Sequence, residues 1–109
     1  MMRIYFDCDQ AYKHLVKEKR VFTIRKAPKK AVFEQVKVEI WRKGKPTGIK
    51  GERHFVAWLS YREEMLPSEV KESGFQSNDE WWDAVVERGG RPRDRYVLYY
   101  VEIPKGKLA

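Results

Sequence analysis

The segment Lys19-Arg20-Val21-Phe22-Thr23-Ile24-Arg25 brings two guanidinium groups and a hydroxyl close together in the chain. Guanidinium groups pair phosphate oxygens through forked hydrogen bonds, and a threonine hydroxyl both donates and accepts. On a strand, alternation sets Val21, Thr23 and Arg25 on one face and Arg20, Phe22 and Ile24 on the other. Thr23 and Arg25 can therefore line one pocket, whereas Arg20 joins them only through a twist or bulge. More cations follow at Lys26, Lys29, Lys30, Lys43, Lys45, Lys50 and Arg53. Trp41 stands beside Arg42 and Lys43, the aromatic-plus-basic pairing on which single-stranded nucleic acids stack. Other chemistries find little support. Cys8 is the single cysteine, and with only His14 and His54 there is no Cys/His set of zinc spacing. No glycine-rich phosphate loop and no Ser/His/Asp motif can be read, so neither a metal nor a cofactor is predicted.

The charge supports an anionic partner. The 109 residues carry 23 Lys+Arg against 16 Asp+Glu, a net charge of +7, and the surplus is unevenly placed. Residues 17–53 hold 13 basic against 4 acidic groups, net +9, while 63–87 hold one against eight, net −7. Residues 88–109 return to net +4. Such polarity predicts either a basic face for nucleic acid or two stretches that fold together and cancel. Charged residues make up 36% of the chain and uncharged polar ones are scarce, a balance found in hot-adapted proteins. With 42% hydrophobic and 14% aromatic residues, the chain has enough apolar mass for one core, which excludes disorder for most of it. One domain over 1–109 is predicted. The longest apolar run, Tyr96 to Val101, is far too short to span a bilayer as a helix, and the first ten residues do not read as a secretory leader, so a cytoplasmic location is expected.

These residues must be positioned by a small set of elements. Asp9 to Lys17 reads as a short helix capped by Asp7 or Asp9, running into a strand over 21–25 that ends before Pro28. Val36, Val38 and Ile40 alternate with polar residues as in a half-buried strand. Residues 42–51, with three glycines, a proline and several cations, predict an exposed basic hairpin loop. His54 to Tyr61 reads as a central strand covered on both faces. A short helix begins at Pro67, and Ser77-Asn78-Asp79-Glu80 is a capping box opening a second helix that Gly89-Gly90 stops. Trp81 and Trp82 point about 100° apart on that helix, which predicts one of them half exposed. Arg95 to Ile103 is the last strand and Lys105 to Ala109 a tail. The order predicts an α+β fold: a small, mostly antiparallel sheet closed into a barrel, with short helices at its edges.

A helix running into K-R-x-x-T-I-R, a basic glycine-containing hairpin, a long apolar strand, S-G-F-x-S-x-x-E-W (Ser73 to Trp81) and a closing Y-V-L-Y-Y-V-E-I strand resemble the ASCH domain. The resemblance spans about residues 10–103. It implies a PUA-like pseudo-barrel, with relatives that bind RNA or read modified bases. It also implies a cleft between the Thr23-x-Arg25 strand and the segment before Gly74-Phe75. Some bacterial ASCH proteins are amidohydrolases on a modified cytidine, with a Lys, a Thr and a Glu in the site. Carried over by position, the Lys falls on Arg20, the Thr on Thr23 and the Glu on Ser73. Arginine stays protonated and serine is no carboxylate, so the triad is complete only if Lys19 and Glu72 enter through register shifts.

The reading is an RNA- or modified-nucleotide-binding module. Arg20, Arg25, Lys26, Lys29 and Lys30 hold phosphate, Lys43, Lys45 and Lys50 clamp the flanking backbone, and Thr23 selects base or sugar. Trp41 and Arg53 complete the surface. Two alternatives stand beside it: an amidohydrolase or nuclease using Thr23, Lys19 and Glu72, and a protein-interaction module using the acidic segment 63–87.

Overall fold

In the computed structural model, which describes residues 1–104, each apolar pattern becomes an element in chain order. These are β1 (Met2–Tyr5), α1 (Asp9–Glu18), β2 (Arg20–Lys26), β3 (Gln35–Arg42), β4 (Lys45–Leu59), α2 (Pro67–Lys71), α3 (Asn78–Glu87) and β5 (Tyr96–Glu102). The tail at 105–109 lies outside the described residues. The protein is an α+β fold with a five-stranded mixed sheet in the order β1-β3-β4-β5-β2. β1 runs parallel to β3, and every other pairing is antiparallel.

Local chemistry explains the ends of the helices. Ala11 and Leu15, one turn apart, are the buried stripe of α1, and Lys19 closes the helix in the left-handed region with its N–H on the Leu15 carbonyl. In α3 the Ser77 hydroxyl accepts the Glu80 N–H at 3.1 Å. α2 is a single turn whose Glu69 carboxylate accepts the Leu66 N–H.

The sheet is not closed, contrary to the barrel read from the sequence: β1 and β2 are its two free edges. A four-residue β1 offers little edge to pair, and the outer edge of β2 is already engaged where Phe22 donates its N–H to the Glu72 carbonyl. The sheet is nevertheless strongly curled. In a flat five-stranded sheet the edges would lie about 19 Å apart, yet the Arg25 guanidinium of β2 sits 4.8 Å from the ring of Phe6, just beyond β1.

β4 produces the curl. It is 15 residues long; its first part pairs with β3 and its last part with β5, with a bulge between Phe55 and Ala57. Bulges bend a strand and increase its twist. The exposed loop predicted for 42–51 shrinks to a two-residue turn, because Lys43 and Gly44 both take positive φ, the geometry of a tight hairpin turn, and Lys45 already pairs with Arg42.

The doubly covered strand is β5 rather than the 54–61 segment. Tyr96, Val97, Leu98 and Tyr99 are at most 4% exposed, whereas Val56 and Trp58 on β4 are 40% and 49% exposed. Both tryptophans of α3 are buried, contrary to the expectation that one would be half exposed. The helix is wedged between two surfaces. Trp82 meets Tyr96 edge-on at 5.2 Å and donates its Nε1–H to the Glu63 carbonyl, while Trp81 turns toward the seam between the sheet edges.

Gly51 precedes the start of the β4–β5 ladder, and a Cβ there would stand 2.7 Å from the Glu102 carbonyl oxygen. Gly51→Ala is expected to destabilise the fold by about 1–3 kcal/mol, the usual cost of overpacking. The neighbouring exposed Lys50→Ala should stay within about 0.5 kcal/mol of wild type. Thermal or urea unfolding of the two variants checks the pair.

Candidate functional site

The seam between the sheet edges encloses a cavity of about 260 Å³. Its walls come from three sources: Phe6 and Asp7 after β1, Thr23 to Lys26 of β2, and Trp81, Ala84, Val85 and Arg88 of α3, with Phe75 between the helices. Phe6, Phe75 and Trp81 are each at most 8% exposed as residues, so the aromatic walls are held by the core rather than by solvent.

Alternation along β2 decides which groups reach the cavity. Thr23 and Arg25 share a face, and Arg25 Nε donates to Thr23 Oγ1 at 3.0 Å. That bond fixes the hydroxyl as an acceptor toward Arg25 and leaves its proton free for a second partner. Burial pushes the Arg25 pKa down to about 10, so the guanidinium is still cationic at neutral pH, in surroundings that strengthen any bond to an anion or carbonyl.

The ladder phase adds a backbone group. Ile103 donates to the Lys19 carbonyl and Ala27 to the Arg95 carbonyl, so residues 21, 23 and 25 exchange bonds with β5. The N–H and C=O of Ile24 therefore point out of the free edge, alongside the cavity that Ile24 helps to line.

The charges around this cavity are polarised. At one end stands Lys26, 3.3 Å from Asp94 in the α3–β5 turn that also carries Arg91, Arg93 and Arg95. Past Asp7 and Arg88, which line both spaces, the cavity continues into a groove of about 530 Å³ whose lining also includes Asp9, Glu80, Asp83, Glu87 and Lys43. The acidic stretch thus reaches the cleft mouth on the outer side of α3 and does not cancel the basic stretch residue by residue. Among the described residues, Arg20–Glu72 is the ion pair linking 17–53 to 63–87.

The residues singled out in the sequence are distributed unevenly over this geometry. Thr23, Arg25 and Lys26 line the cavity, and Lys43 lines the adjoining groove, its N–H bonded to Asp7 Oδ1. Arg20 instead pairs with Glu72, and Lys29 and Lys30 are exposed in the β2–β3 loop. Lys45 and Lys50 are exposed along β4. Arg53 lies over the Tyr99 ring at 4.2 Å. Trp41 has Arg3 over its ring at 3.9 Å, Tyr5 packed at a steep angle 6.0 Å away and Glu39 on its Nε1–H, and stays part-exposed. Lys19, Thr23 and Glu72 are not brought together. Lys19 bonds the Val16 carbonyl at the end of α1, and Glu72 sits between Arg20 and His14, so neither lines the cavity that holds Thr23.

Sequence reasoning missed Phe6, Asp7, Phe75 and Arg88 as lining residues. The arginine-rich 88–95 stretch after Gly89-Gly90 was the one available signal for the basic rim. Phe6 and Phe75 resemble ordinary core residues until the sheet edges converge. In comparisons with known proteins, no family model, curated protein or solved structure matches this chain.

Arg20, first through its hydrogen bond, holds the Glu72 carboxyl below its ordinary value of 4.5. A carboxyl lowered in the folded state stabilises it fully above its unfolded pKa, and the contribution is lost as pH falls through the folded value. Glu72→Gln should therefore flatten the decline of stability below about pH 4.5. Melting temperatures of wild type and variant across the acid range check this.

Proposed function

We propose that the protein binds RNA or a modified nucleotide, seating one base in the cavity between β2 and α3. The observation that carries this reading is the convergence of three aromatic walls, the Arg25–Thr23 pair and the outward Ile24 edge on one small cavity. Small-ligand sites are mostly apolar, with a few fixed polar groups that set orientation, and about 300 Å³ is the lower end of their range. A volume near that limit suits a single base or nucleoside rather than a duplex.

The roles follow from the chemistry. Trp81, Phe6 and Phe75 face the apolar ring. Arg25 and Thr23 present donors to carbonyl or ring-nitrogen acceptors, the Ile24 edge offers one donor and one acceptor, and Asp7 accepts from an exocyclic amine. Lys26 and Arg88, with Arg91, Arg93, Arg95, Lys29 and Lys30 beyond them, provide the phosphate rim. The likeness to ASCH domains enters as part of the same proposal: an open, curled relative of the PUA-like pseudo-barrels, working in the cytoplasm. The acidic groove at the other end disfavours a polyanion running the length of the cleft and favours a strand that enters from the basic rim.

Calorimetric titration with mononucleotides and single-stranded RNA tests the proposal. Binding at about 50 mM salt should weaken linearly in log[salt] for the oligonucleotide. Arg25→Met should cost about tenfold to a hundredfold in affinity, the equivalent of one charge-assisted hydrogen bond of about 1.5–3 kcal/mol. Lys45→Ala and Lys50→Ala should change little. No binding of either ligand class overturns the reading, and so does binding that depends on Lys45 and Lys50 but not on Arg25.

A further inference from the structure

The geometry points to a zinc site formed by Glu52, His54 and Glu102 on the sheet face that carries Tyr100, outside the cleft. The β4–β5 ladder sets Glu52 directly opposite Glu102 and His54 opposite Tyr100, and alternation puts all three side chains on one face. Like charges directly opposite on neighbouring strands destabilise a sheet, and the cations on the outer strands, Lys37 opposite Glu52 and Arg20 opposite Glu102, form no ion pair with them among the described residues, Arg20 being held by Glu72.

One ligand atom from each residue already lies within 4.8 Å of the other two. His54 Nε2 is 3.1 Å from Glu102 Oε1 and 3.9 Å from Glu52 Oε2. Tetrahedral zinc with nitrogen and oxygen ligands at about 2.0–2.2 Å places its ligand atoms about 3.4 Å apart. Modest side-chain rotation reaches that arrangement and leaves the fourth position to water. An imidazole with two carboxylates suits zinc, whereas calcium and magnesium prefer all-oxygen sets.

The surroundings hold these ligands in place. The His54 ring lies 5.9 Å from that of Tyr100, and Gln35 Nε2 donates to Glu52 Oε2 at 2.9 Å, the kind of outer contact that orients a metal ligand. All three residues are part-exposed, so an ion can enter from solvent. Glu52 to His54 is also the stretch of β4 paired on both sides, with Gln35–Lys37 of β3 and Tyr100–Glu102 of β5. Zinc here fastens β4 to β5 where the sheet turns from one half into the other. Two ligands are two residues apart and the third is 48 residues away, so no sequence spacing reveals the set.

Titration of the chelator-treated full chain with zinc chloride tests the inference. One saturable equivalent is expected, with a melting temperature that rises by several degrees at excess zinc. The near-isosteric Glu52→Gln and Glu102→Gln, together with His54→Ala, should each weaken binding more than tenfold. Glu63→Gln and Glu64→Gln, at exposed acidic positions elsewhere, should leave it unchanged. Absence of saturable binding overturns the site, as does binding that survives in both Glu52→Gln and Glu102→Gln; the triad is then only a histidine–carboxylate ion pair.

Discussion

One strand serving two ladders is the constraint on which the structure depends. β4 gives its first ten residues to β3 and its last eight to β5, so Glu52 to His54 must satisfy both neighbours at once. Backbone groups in a sheet have to be paired, and a strand this long cannot stay flat against two partners that diverge. The bulge between Phe55 and Ala57, the register shift on β3 between Glu39 and Trp41, and the close passage of Gly51 to the Glu102 carbonyl mark where the ladders depart from a flat sheet. The curl that results carries the free edges of β1 and β2 toward each other. The cavity lies in the seam that remains between them.

The seam is occupied by side chains instead of hydrogen bonds, and this gives it a chemical character. A closed ladder would have used the outward N–H and C=O of Ile24, leaving only side chains to face the cavity. Left open, the edge stands beside Phe6, Phe75 and Trp81, whose burial gives the site rigid walls. Arg25 sits inside these walls with Thr23 as its partner and the Phe6 ring beneath its guanidinium, an arrangement that keeps a cation desolvated yet charged. α3 contributes on both sides: Trp82 fixes it to β5, and Trp81 faces the seam. The acidic outer flank of that helix then gives the cleft one negative end, while the turn after it supplies the positive one.

Much of the local structure was legible beforehand. The Ser77 cap, the alternation in 36–40 and the Pro67 start each depend on neighbours within a turn or two, and all three were read correctly. Thr23 and Arg25 were placed on one face by alternation alone, and the structure keeps them there. Where a neighbour was not legible, it was distant in the chain. Trp41 looked free beside Arg42 and Lys43 until the parallel pairing of β1 brought Arg3 and Tyr5 onto it. The partner of Arg20 was hidden too, because Glu72 reaches it from the end of α2. The basic 42–51 stretch looked like a loop because its glycines and proline weaken strand propensity, but pairing on β3 overrides that preference.

The sequence by itself determined the class of the fold, the order of its elements from α1 onward and the separation of charge into a basic and an acidic stretch. Each of these follows from composition or from periods of two and 3.6 residues, which act over short distances along the chain. Tertiary structure alone decided that the sheet curls without closing, that both tryptophans of α3 are buried, and that Phe6, Asp7, Phe75 and Arg88 join Thr23 and Arg25 around one cavity. Those outcomes depend on contacts between strands far apart in the chain. The charge separation first read as a face and a counter-face becomes, in three dimensions, the two ends of a single cleft.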